Sequence, residues 1–86
     1  MIVAHSIKIK LTKAFQPVLL NVTDESSQHA GHMGARPEGE THFRVEIVAG
    51  AFAGKSRVDR QRMVYAVLAD ELSGPVHALS VSATAP

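Results

Sequence analysis

Eighty-six residues leave room for one hydrophobic core and not for two, and a composition of 45% apolar and 20% charged residues excludes a wholly disordered or collagen-like chain. The complete absence of cysteine excludes disulfides, thiolate metal sites, dithiol redox chemistry and cysteine nucleophiles within the chain. A formal net charge of +1 is too small to name a nucleic-acid partner by bulk electrostatics.

Val3, Ile7, Leu11, Ala14 and Phe15 recur at helical spacing and predict a first helix with one apolar stripe. The run Ile7 to Leu11 also alternates like a strand, but the stripe extends in both directions with no turn signal between. Pro17 ends this helix, because proline keeps the residue before it, Gln16, out of the α region. A strand follows over Val18–Asp24, with Val18, Leu20 and Val22 on one face. A second strand over His42–Ala49 buries Phe43, Val45 and Ile47 and turns His42, Arg44 and Glu46 to the other side. Between them lies a stretch, residues 25–41, with three glycines, a proline and almost nothing to bury. A connection of that length is either functional or a solvated hairpin tip.

Gly50–Gly54 reads as a turn. Ser56, with Asp59 three residues on, opens a second helix in the Ser-x-x-acid capping pattern. Val64, Val67, Leu68 and Leu72 form its buried stripe, Met63 and Tyr65 flank it, Gly74 suits the C′ position and Pro75 stops it. The last element is a strand over Val76–Ala83 with His77, Leu79 and Val81 on one face. The expected fold is α+β: one domain over residues 1–86, order αββαβ, helices on one face of a three-stranded mixed sheet. Because a helix precedes the final strand, that strand can pair parallel to a neighbour through a right-handed crossover.

Charge is distributed unevenly. Residues 1–23 carry Lys8, Lys10 and Lys13 and no acid; residues 24–41 carry a net −3; residues 55–62 carry Lys55, Arg57, Arg60 and Arg62 against Asp59. No apolar run reaches the ~18 residues a membrane span requires, and no basic stretch followed by a long apolar one marks a secretory leader. The expected compartment is the cytosol.

No serine stands in a nucleophile context, no phosphate-binding or dinucleotide loop is present, and the acids fall in loops or on solvent faces without pairing, so the chain does not read as an enzyme. The histidines carry more. His29 and His32 lie in the long connection, and His77 opens the last strand just beyond Pro75. Neutral imidazole ligates zinc, copper and iron. One ligand on the strand and one on the loop make half a coordination sphere, which a partner would have to complete. The alternatives are a half-buried His77 bonded to a backbone carbonyl and a solvated His29. His5 and His42 read as packing or capping residues. Lys55, Arg57, Arg60 and Arg62 bracket a helix start, where amides and the helix dipole attract anions: DNA phosphate, an acidic group of a partner, or a phosphorylated or carboxylated small molecule. An ordinary solvated helix face would show the same residues. No aromatic lies among them, which argues against stacking on single strands.

Several short motifs, in order, resemble the BolA family: Asp24-Glu25-Ser26, Thr41-His42-Phe43, Phe52-Ala53-Gly54, Arg60-Gln61-Arg62-Met63-Val64-Tyr65 and Val76-His77-Ala78-Leu79. The resemblance implies a fold related to type-two K-homology domains with a short extra helical turn. Gly50 and Gly54 are one residue too far apart for the Gly-x-x-Gly loop that K-homology domains use on nucleic acid. It also implies a heterodimer with a monothiol glutaredoxin that shares a [2Fe-2S] cluster, the glutaredoxin cysteine and a glutathione thiol holding one side. His77 would be one ligand on the other side, and His29, or His32 in its place, the second. No cluster is expected in the isolated chain, and weak self-association is compatible with the same likeness. Mixed histidine and thiolate ligation raises the reduction potential and makes the cluster sensitive to pH. Some members are described as transcriptional regulators, for which the Lys55–Arg62 helix start is the expected DNA contact.

Overall fold

The computed structural model describes residues 2–26 and 41–86. Helix α1 (Ile2–Phe15) buries Ile7 and Leu11 completely, with Val3, Ala4 and Phe15 packed partly against the core. Ala14, expected on the buried stripe, is exposed; at that end of the helix the core is reached by Phe15, whose ring lies 4.9 Å from that of Phe52. The helix stops where Pro17 requires. Gln16 leaves the right-handed region for φ 48° while its N–H still bonds the Thr12 carbonyl at 3.0 Å.

Strands β1 (Leu19–Asp24), β2 (His42–Val48) and β3 (Ala78–Thr84) form one sheet in the order β1-β2-β3. β1 and β2 are antiparallel, with Leu19 opposite Val48 and Asp24 opposite Phe43; β2 and β3 are parallel, with His42 opposite Ala78 and Val48 opposite Thr84. The period-two pattern decides which face is covered. Phe43, Val45 and Ile47 are buried, and Leu20, Val22, Leu79, Val81 and Ala83 pack beside them from the outer strands. Asn21, Thr23, Arg44, Glu46, Ser80 and Ser82 face solvent on the other side.

A 3-10 turn (Gly50–Phe52) follows β2 and inserts Phe52 into the core; Gly54 beyond it takes φ 75°, which explains a glycine there. Ser56 caps helix α2 (Arg57–Val67) as expected, its hydroxyl accepting the Asp59 N–H at 3.1 Å.

Three expectations about the next segment are corrected. The helix does not run unbroken to Leu72: at Leu68 (φ −100°, ψ 21°) it breaks, and a separate helix α3 spans Ala69–Ser73. The break keeps Leu68 in the core while turning Glu71 inward, so the acids are not all on loops and solvent faces. Glu71 is buried against α1, where Ser6 and Lys10 hold its carboxylate. Finally, Gly74 does not adopt the left-handed C′ conformation; its φ is −117°. A Cβ at Gly74 would stand 3.2 Å from the Asp70 carbonyl oxygen, so close approach of backbone is what asks for glycine.

Among the described residues, no helix is long and apolar enough to cross a membrane.

Candidate functional site

Ser26 and Thr41, which flank residues 27–40 in sequence, meet at one end of the sheet. Glu25 is drawn there by its N–H, which bonds the His42 carbonyl at 2.7 Å, and by its carboxylate, 3.2 Å from the Arg44 guanidinium. Asp24 Oδ1 accepts the Ser26 N–H at 2.9 Å. Ser26 Oγ, itself buried, receives the Thr41 N–H at 2.8 Å and the His42 N–H at 3.1 Å, and lies 3.2 Å from Thr41 Oγ1. Thr41 Oγ1 in turn lies 2.8 Å from His42 Nδ1.

His77 is fixed from the same residue. The Thr41 carbonyl accepts the N–H of His77 at 2.7 Å and that of Ala78 at 3.1 Å. The His77 side chain is exposed, so its imidazole is presented outward from an anchored backbone. Next to it stands His42, 7% exposed, with ring centroids 5.4 Å apart and planes inclined by 53°. The packing role expected for His42 is correct but incomplete, because it packs beside the candidate ligand. The signal that would have found this is the parallel register, His42 opposite Ala78, which a single sequence does not state. His29 and His32 lie outside the described residues. His5 lies elsewhere, in a groove between α1 and β1 lined by Ala4, Lys8, Val22 and Asp24. Among the described residues no three metal-ligating side chains come together. An exposed imidazole on a fixed strand start is a fitting nitrogen donor for iron or zinc, and is short of partners within the described residues.

The basic helix start is divided by helical geometry. Lys55, Arg57 and Arg60 line a groove with Gln61 and the end of β3, Val81–Thr84. Successive residues on a helix are turned by about 100°, which carries Arg62 off this face; it stands 3.8 Å from Asp59 instead. Arg60 is partly committed to structure: its Nε–H donates to the Lys55 carbonyl at 3.0 Å and an Nη1–H to the Ala83 carbonyl at 3.3 Å. Lys55 and Arg57 are exposed.

The family model "BolA-like protein" matches residues 11–86. The chain belongs to the BolA-like family. It is 44% identical over 81 residues to the "DNA-binding transcriptional regulator BolA" of Escherichia coli, covering 94% of this chain and 73% of that protein. It is 50% identical over 84 residues to "SufE-like protein 1, chloroplastic/mitochondrial" of Arabidopsis thaliana, covering 93% of this chain but only 23% of that longer protein. The solved BolA domain of SufE1 from Arabidopsis thaliana superposes with a TM-score of 0.87 at 49% identity, over 96% of this chain and 91% of that one. This BolA-like chain therefore has the α+β architecture of its relatives, with the mixed sheet expected from sequence.

Proposed function

We propose that this chain lends imidazole ligands to a [2Fe-2S] cluster shared with a monothiol glutaredoxin and glutathione, and acts in the assembly, transfer or regulation of such clusters. The observation that supports the reading is the exposed His77 imidazole, held on backbone that is anchored by the Thr41 carbonyl. In this reading His77 is the ligand from the sheet, and His29 or His32 is the ligand from the segment. The cluster brings an electron-accepting iron–sulfur core; the chain contributes nitrogen donors and their placement.

The experiment is reconstitution of the heterodimer with iron, sulfide and glutathione, followed by visible absorption and circular dichroism. His77→Ala is expected to abolish or grossly alter the cluster spectrum while the chain stays folded, because the side chain is exposed and its removal leaves no cavity. An unchanged spectrum rejects His77 as a ligand. His29→Ala and His32→Ala, in separate samples, decide which residue supplies the second nitrogen.

A second reading, DNA binding, is favoured by the groove of Lys55, Arg57 and Arg60 and by the name of the E. coli relative, a DNA-binding transcriptional regulator. If three side chains neutralise phosphates there, log affinity should fall with log salt at a slope of about −3. Replacing Lys55 and Arg57 with alanine should flatten that slope by about 2. A slope near zero in the unmodified protein excludes this mode of binding.

A further inference from the structure

We infer that Ser26 and Thr41 are positioning residues for His77: their hydroxyls form a clasp that fixes His42 in one tautomer and sets where the neighbouring imidazole stands. The inference rests on the proposed ligand role of His77 for its functional meaning, but its structural content stands independently.

A serine hydroxyl has two acceptor sites and one proton. At Ser26 both acceptor sites face backbone donors, the N–H groups of Thr41 and His42. With both acceptor sites taken, Ser26 has no lone pair left for the Thr41 hydroxyl, 3.2 Å away, so the proton between the two oxygens is the one that Ser26 gives to Thr41 Oγ1. The Thr41 proton is then free for His42 Nδ1 at 2.8 Å. With the protons in this order Nδ1 is the acceptor, and the neutral ring carries its proton on Nε2. The chain of donors runs one way, from Ser26 to Thr41 to His42, and both hydroxyl-bearing residues are buried.

The same two residues control His77 by a second route. The Thr41 carbonyl takes the N–H groups of both His77 and Ala78, while the Thr41 N–H is held by Ser26. A shift of Thr41 therefore moves the start of β3 and the His42 ring together. With ring centroids only 5.4 Å apart, the position of His42 limits the rotamers open to His77. A ligand is held productively only when the residues that support it are themselves fixed.

The test uses the full chain with 15N-labelled histidines. In the unmodified protein, long-range 1H–15N spectra should report His42 as the Nε2–H tautomer. An Nδ1–H tautomer overturns the donor chain directly, with no variant needed. Thr41→Ser keeps the hydroxyl and should leave the His42 and His77 ring signals in place. Thr41→Val and Ser26→Ala should release the tautomer, shift the His77 ring signals and raise exchange of the His77 amide roughly tenfold. Folded variants with unchanged His77 signals and exchange overturn the positioning role. The glutaredoxin complex then separates this inference from the function it serves. If His77→Ala leaves the cluster spectrum intact, the ligand proposal fails while the NMR result still judges the clasp. If His77→Ala removes the spectrum, Thr41→Val should alter its circular dichroism and Thr41→Ser should restore it.

Discussion

Replacing Phe52 with alanine is expected to lower the unfolding free energy by about 3–5 kcal/mol. The side chain has no exposed surface, and it joins α1 to the sheet through its ring contact with Phe15 at 4.9 Å. Aromatic pairs of this kind add about 0.5–1.5 kcal/mol beyond the area they bury, so the truncation removes both burial and a specific contact. A domain of this size has roughly 5–15 kcal/mol in total, and the loss is therefore a large fraction of it. In urea the midpoint should fall with the slope unchanged. Phe52→Leu, which keeps most of the volume, should cost far less. A shift below about 1 kcal/mol for the alanine variant would mean that the core collapses around the gap. The effect reaches the surface as well. Phe52 closes the turn whose carbonyl holds the Lys55 N–H at 3.2 Å, and Lys55 borders the basic groove. A loosened turn should weaken the DNA binding proposed for that groove even though no groove residue has changed.

What was legible in the sequence is what local chemistry decides. Alternation in β2 predicts its buried face because side chains on a strand have a fixed period of two. The first turn of α2 follows from Ser56 and Asp59, two residues three apart whose bonding needs nothing distant. The end of α1 follows from one proline. The parts that escaped are set by partners far along the chain. The break at Leu68 and the inward turn of Glu71 depend on Ser6 and Lys10, 65 and 61 residues away in sequence. His42 becomes part of the candidate site only through parallel pairing with β3, and such a register depends on the whole crossover. The basic cluster was visible as composition, but its division, with Arg60 bonded to backbone and Arg62 turned away, needed the position of the β3 terminus. The exposed His77 and its neighbours illustrate the same split: the residue type suggested a ligand, whereas the anchoring by Thr41 is a tertiary fact.

Acid should weaken this fold through Glu71. Burial is the largest single influence on its carboxyl and pushes the pKa up. Hydrogen bonds from Lys10, Ser6 and its own backbone, with the charge of Lys10, outweigh burial, and the net result lies below the ordinary value of 4.5. The distances agree: Ser6 Oγ donates at 2.7 Å, and Lys10 Nζ stands 2.8 and 3.0 Å from the two carboxylate oxygens. Asp70, 3.7 Å from Lys10 and 93% exposed, adds little. A carboxyl with a depressed folded pKa stabilises the fold fully above its unfolded value, and the contribution fades as pH falls through the folded one. Lys10 responds in the opposite direction: its hydrogen bond to Glu71, the largest influence, helps hold its pKa above 10.5, so its share is complete below that pH and is lost only in stronger alkali. Glu71→Gln should therefore cost about 1.5–3 kcal/mol at neutral pH, the range for hydrogen bonds to charged groups. The gap between the two proteins should narrow as pH drops below about 4.5 and stay level from there to pH 9. Urea denaturation across that range measures it directly. A gap that persists undiminished at pH 3 would show that the folded carboxyl is not stabilised in its charged form. The consequence extends to the candidate site, because the Glu71 carbonyl accepts the N–H groups of Gly74 and Val76 at 3.2 and 2.9 Å. Those two bonds shape the turn that delivers His77 to the head of β3. Releasing the Glu71 side chain in acid therefore loosens the backbone one residue from His77, on the side opposite the Thr41 anchor.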